Sequence, residues 1–122
     1  MSRFGRVEKG RWAENLAYRY LCEQHLHPVT RNHRYRGGEI DIIMQQDNTL
    51  IFVEVRYRVD QRYGSSAESV NLQKQQHIIK TAQHFLQKYP HYQQFICRFD
   101  AVLITGNMAS PQVQWLQDAF RA

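Results

Sequence analysis

Apolar residues recur at three- and four-residue steps from about Val7 to His25, at Trp12, Leu16, Ala17, Tyr20 and Leu21. That spacing keeps one side of a helix apolar and predicts an amphipathic helix. The period then shortens. His27 to Tyr35 (HPVTRNHRY) reads as a short strand, and Arg36, Gly37 and Gly38 as a basic, glycine-rich turn. Two apolar runs follow, Ile40 to Met44 and Leu50 to Val55, separated by Gln-Gln-Asp-Asn-Thr, which predicts a hairpin. Side chains alternate faces along a strand, so Glu39 and Asp41 share one face of the first strand, and Glu54, Arg56 and Arg58 share one face of the second. A tight turn at Asp47 and Asn48 sets Asp41 opposite Glu54, and Glu39 opposite Arg56.

Beyond the hairpin, Asp60 to Glu68 (DQRYGSSAE) reads as a polar, mobile loop. Ser69 or Asn71 caps a second helix that runs to about Tyr89, where Pro90 prevents continuation. Its apolar face is Leu72, Ile78, Ile79, Ala82, Phe85 and Leu86. Phe95 to Ile104 (FICRFDAVLI) is β-branched and apolar, as expected of a strand that joins the sheet through a crossover. Val113 to Phe120 either packs as a final strand and turn or presents Trp115 and Phe120 to another subunit. The order helix, three strands, helix, strand predicts one α/β domain over residues 1–122. No run approaches 18 apolar residues, and the charged N-terminus has no apolar core of a leader, so the expectation is a cytoplasmic protein with no membrane contact.

Charge changes this picture more than composition does. The 16 Lys and Arg outnumber the 11 Asp and Glu, for a formal +5, which favours a polyanionic partner. Twelve of the cations are arginine, whose planar fork suits phosphate. Arg31, Arg34 and Arg36 precede the hairpin acids and read either as a phosphate-holding array or as a solvated edge. Opposed carboxylates destabilise a sheet, so Asp41 and Glu54 call for a cation, and a divalent metal with oxygen ligands fits. Lys74 falls in the first turn of the second helix, where the macrodipole disfavours it. It is therefore either solvated or paired with a hairpin acid. Glu14 lies off the apolar stripe of the first helix and reads as solvated. Asp100 interrupts a buried strand and needs a partner, with an arginine or a helix N-terminus expected. Cys22 and Cys97 lack CxxC spacing and read as reduced, buried small hydrophobes. Nothing calls for a small-molecule organic cofactor.

Taken together, Gly10 to Glu14, Arg31-Asn32-His33-Arg34, Gly38-Glu39-Ile40-Asp41, Phe52-Val53-Glu54-Val55, Ser69-Val70 with Lys74, and Arg98-Phe99-Asp100 resemble the YraN family. That bacterial group is similar to the PD-(D/E)XK nucleases and especially to Holliday junction resolvases. The resemblance implies a restriction-endonuclease-like αβββαβ core with a mixed sheet flanked by helices. It implies a Mg²⁺ (or Mn²⁺) site at Asp41 and Glu54, with the Val55 carbonyl between and Glu14 completing the shell or ordering a water. It makes Glu14, Asp41, Glu54 and Arg56 the catalytic set, with Arg56 where such nucleases carry lysine. Arginine keeps its proton below a pH of about 12, so Arg56 can grip a phosphate or an oxyanion but cannot accept a proton. DNA is the implied partner, contacted by Arg31, Arg34, Arg36, Arg58 and Lys74, and a homodimer is expected from the resolvases. The function expected is a nucleic-acid-binding protein acting as a Mg²⁺-dependent endonuclease on branched or structured DNA. The alternative is a catalytically inactive nuclease-fold module for DNA or protein interaction.

Overall fold

The structure, a computed structural model, describes residues 5–59 and 70–122. The elements run α1 (Arg6–Glu23), β1 (His27–Tyr35), β2 (Gly38–Gln46), β3 (Thr49–Arg58), α2 (Leu72–Lys88), a 3-10 turn (Pro90–Gln94), β4 (Ile96–Thr105) and β5 (Gln112–Phe120). One mixed sheet has the order β1-β2-β3-β4-β5, antiparallel except for the parallel β3–β4 pair that α2 connects. This is the expected αβββαβ arrangement with β5 added at one edge, so Val113 to Phe120 is a sheet strand. The polar loop expected at Asp60 to Glu68, and Ser69 as a cap, lie outside the described residues. Among the described residues no helix is long and apolar enough to cross a membrane.

Each face of the sheet takes one helix. Ala13, Ala17 and Leu21, at four-residue steps on α1, are fully buried against Ile42, Met44, Ile51, Val53, Val102 and Ile104. Ile78, Ala82 and Phe85 of α2 are buried against Ile43, Leu50, Phe52, Phe99 and Phe120. Leu72 departs from the expected face and is 73% exposed. At 100° per residue it points about a third of a turn away from the Ile78–Phe85 stripe, in a first turn that overhangs the sheet. Cys97 is also a correction, being free and exposed, with Cys22 half-buried. It sits beside exposed Ile96 at the end of β4, where neither helix covers the sheet.

Local chemistry explains how the elements meet. The Asp47–Asn48 loop closes β2 on β3 with Gln46 opposite Thr49 and Ile42 opposite Val53, the register that a two-residue turn dictates. Asn71 caps α2, its side chain accepting from the Lys74 N–H at 2.9 Å. Gly38 is buried beneath α2, and a methyl group there would run into Thr81 Oγ1 and lie 3.2 Å from the His77 carbonyl. The missing side chain lets α2 settle on the start of β2.

Asp100 has the structural role expected of it. Fully buried, it accepts from Arg98 Nε and Nη2, from Trp115 Nε1 and from the Asp118 N–H, all at 2.9 Å. The β4–β5 register shifts between Phe99 and Ala101, and the carboxylate fills that irregularity. Trp115 is thereby an internal donor, and Phe120 stacks on Phe99 at 5.0 Å. Asp100→Ala, which strands Arg98 and two N–H donors, is expected to cost about 3–5 kcal/mol. Urea unfolding checks this as a lowered midpoint at unchanged slope.

Candidate functional site

The β2–β3 ladder pairs residues only as far as Ile42 and Val53. At the next step the strands part, and the Asp41 side chain enters the gap: its Oδ2 accepts the Val55 N–H at 2.8 Å. Glu54 lies beside it, 5% exposed and within hydrogen-bonding reach of Asp41. Burial, and then the Glu54 charge, push the Asp41 carboxyl up to about 9. Two carboxylates thus share a site too dry to hold both charges. Glu54 Oε2 is buried and has no hydrogen-bond partner among the described residues. Its nearest cation is Lys74 Nζ of α2 at 3.8 Å, an ion-pair distance too long for a hydrogen bond. The hairpin partner expected for Lys74 is therefore Glu54.

A polar chain extends from this pair to α1. Asn32, in β1, has φ 56°, a left-handed conformation that asparagine tolerates better than most residues. The consequence breaks strand alternation: Arg31 turns to the α1 side, while His33 turns to α2 and meets His84 and Phe85. Asn32 Nδ2 donates to Glu14 Oε2 at 3.2 Å and to Glu39 Oε1 at 3.4 Å. Glu39 in turn lies close enough to Asp41 for the two carboxyl groups to interact. Glu14 is not a solvated helix residue, since Arg31 Nε lies 3.3 Å from its Oε1 and its side chain is 15% exposed.

Glu39 does not pair with Arg56 as the register alone suggests. It pairs with Arg34, which sits opposite it on β1. Burial raises the Glu39 carboxyl, but Arg34 and the bonds from Asp41 and Asn32 outweigh that and hold it below the usual carboxylate range. The cause of the correction is the parting of β2 from β3 at Asp41, which removes Arg56 from Glu39. Arg56 Nε is left buried without a hydrogen-bond partner among the described residues.

The arginines expected to form one array occupy separate places. Arg31 is held by Glu14 and by Asn15 Oδ1 at 2.6 Å, with its guanidinium 4.8 Å from the Tyr18 ring. Arg34 is paired with Glu39 yet 75% exposed. Arg36 stands at the β1–β2 turn over Tyr35. Arg56 and Arg58 line an open cleft of about 540 Å³ with Lys9 and Gly10, beside Val55. Among the described residues no three His, Cys, Asp or Glu side chains come together as a preformed metal cluster. Asp41 and Glu54 are brought into contact, and Glu14 reaches them only through Asn32 and Glu39. Sequence reasoning missed the bridging role of Asn32, whose one signal was an amide residue able to adopt positive φ inside a strand pattern.

Comparison with known proteins places the chain. The profile of uncharacterised protein family UPF0102 matches residues 13–104. A UPF0102 protein of Saccharophagus degradans is 47% identical over 113 residues, covering 93% of this chain and 92% of its own length. One from Nitrosomonas europaea is 46% identical over 112 residues, covering 92% of each chain. One from Nitrosococcus oceani is 44% identical over 114 residues, covering 93% and 92%. With the profile spanning Glu14, the parted hairpin and Asp100, and relatives alike over almost their whole length, the chain belongs to the UPF0102 (YraN) family.

Proposed function

We propose that this protein is a nucleic-acid-binding domain that uses a divalent cation at Asp41 and Glu54 for phosphodiester hydrolysis in branched or structured DNA. The observation that carries the reading is the buried Asp41–Glu54 pair at the opened ladder, with one carboxylate oxygen lacking any hydrogen bond among the described residues. The donors fit Mg²⁺ or Mn²⁺ in type, being hard carboxylate oxygens. Glu39, the neighbouring carboxylate, is tied to Arg34 and Asn32, so Asp41 and Glu54 would hold the cation and water, backbone carbonyl and substrate phosphate would complete its shell, as is usual for Mg²⁺. When bound, such a cation polarises a phosphate and lowers the pKa of water.

The chain's own residues supply the rest. Asp41 is oriented by the Val55 N–H, so its carboxyl cannot swing out of the gap. Glu14 acts at one remove, its Asn32 bridge steadying Glu39 beside Asp41. Arg56 and Arg58, with Lys9, put permanent positive charge along the cleft next to Val55, suited to gripping a phosphodiester. Arg56 cannot take a proton. Lys74, at 3.8 Å from Glu54 and delivered from α2 rather than from β3, is the ammonium placed to help order a water or to offset developing charge. Arginine in the lysine position supports the second reading, a module that binds nucleic acid without cutting it.

Three measurements separate these readings. Mg²⁺ or Mn²⁺ at a hundredfold excess over its Kd is expected to stabilise the wild type by about 2–3 kcal/mol, several degrees in Tm, and to leave Asp41→Asn unmoved. No shift in the wild type, with no effect on DNA binding, would reject the metal site. Arg56→Lys is expected to raise metal-dependent cleavage of branched DNA by about tenfold or more, and no gain across DNA and RNA structures would favour the binding module. A double-mutant cycle of Lys74→Met and Glu54→Gln is expected to return a coupling of about 1 kcal/mol in urea unfolding, whereas additivity would remove Lys74 from the site.

A further inference from the structure

Helix α2 has an unusual charge pattern. Three of the chain's four lysines, Lys74, Lys80 and Lys88, lie on it with His77 and His84, and no carboxylate occurs between Glu68 and Asp100. Surface helices ordinarily mix signs, since each i,i+4 ion pair adds about 0.3–0.5 kcal/mol, and α2 forgoes every such pair. Its first turn contains a lysine and no acid, against the macrodipole. A one-signed exposed face has a cost that an anionic ligand would offset.

A built groove accompanies this face. Between α2 and the β1–β2 turn lies a cleft of about 440 Å³, lined by Tyr35, Arg36, His77, Lys80, Gln83 and His84, and by no acidic residue. Arg36 and Gly37 form the two-residue turn, both at positive φ (46° and 81°), which fixes the base of the Arg36 side chain. Its guanidinium lies 5.1 Å from the centroid of the Tyr35 ring. Tyr35 stacks on His84 at 4.0 Å and 12°, and His84 Nδ1 is 3.1 Å from His33 Nε2. The column anchors Arg36 to α2, so little side-chain entropy remains to be lost when the arginine takes a phosphate. Lys80 and His77 face it across the groove, and Gln83 adds an amide donor.

We propose that this groove is a binding site for one unpaired nucleic-acid strand, with phosphates on Arg36 and Lys80, as that strand approaches or leaves the Asp41–Glu54 pair. The inference rests on the nucleic-acid reading above and adds a location and a strand state to it. Continuity supports it: Lys74, beside Glu54, is six residues before Lys80, about 9 Å along the helix axis. A concave groove lined by cations and amide donors suits a single strand, whose flexible backbone can follow it, better than the convex ridge of a duplex. Recognition is of the phosphate backbone, so it tolerates any sequence.

The test uses full-length protein in chelator, so that nothing is cut, and fluorescence anisotropy with a labelled single-stranded oligonucleotide and the matching duplex. Arg36→Ala with Lys80→Ala is compared with Arg19→Ala with Arg121→Ala, a pair of exposed arginines elsewhere that removes the same charge. The groove pair is expected to weaken single-strand binding at least tenfold more than the control pair. It should also flatten the slope of log affinity against log salt by about 1.4, two phosphate contacts at about 0.7 each. Lys80→Glu alone should weaken it in the same direction. If the groove variants bind the single strand as the control does while the wild type binds well, the groove is not a strand site and the broader reading stands. An equal loss on the duplex overturns the single-strand assignment. Wild-type protein that binds neither probe overturns both readings together.

Discussion

One hydrogen bond organises the candidate site of this protein: the Val55 N–H donates to the carboxylate of Asp41 where the β2–β3 ladder stops. A backbone donor that would otherwise be paired strand to strand is satisfied by a side chain, which holds a carboxyl group inside the sheet. The surroundings are arranged around that substitution. Asn32 takes a left-handed conformation and reaches both flanking acids, Arg31 holds Glu14, Arg34 holds Glu39, and bare Gly38 lets α2 bring Lys74 over Glu54. The outer carboxylates are each matched by an arginine. Among the described residues the inner pair has only Lys74, at 3.8 Å.

Two strand aspartates make the contrast plain. Asp100 and Asp41 both sit where a ladder is interrupted, and both accept a backbone N–H. Asp100 also receives two guanidinium donors and an indole N–H, so its charge is fully compensated and its work is to hold β5 to β4. Asp41 instead faces Glu54 and Glu39, and burial with the Glu54 charge pushes it up to about 9. Charge placed in a dry site without matching donors weakens a fold. Its presence in an otherwise well-satisfied structure is what supports the proposed cation site.

The positive charge of the chain is divided by role. Arg31, Arg34 and Arg98 are committed to internal carboxylates, and their removal would act on stability first. Arg56, Arg58 and Lys9 line one cleft beside Val55, while Arg36, Lys80 and His77 line another along α2. The formal +5 is therefore unevenly placed, with five of its cations lining these two grooves.

Period and turn chemistry are local, so the helices, the strands, the Asp47–Asn48 turn and its register were legible in the sequence, as was the need of Asp41 and Glu54 for positive charge. The order of αβββαβ and the structural role of Asp100 followed from the same patterns. Strand alternation then misled in one respect, pairing Glu39 with Arg56, because it assumes a ladder that continues. Only the tertiary structure decided that the ladder opens at Asp41, since the opening depends on contacts between residues distant in the chain: Asn32 with Glu14, Gly38 with Thr81, and Lys74 with Glu54. It also decided which arginines are paired with carboxylates and which line open clefts, a distinction that sequence spacing does not encode because partners such as Glu14 and Glu39 come from other elements.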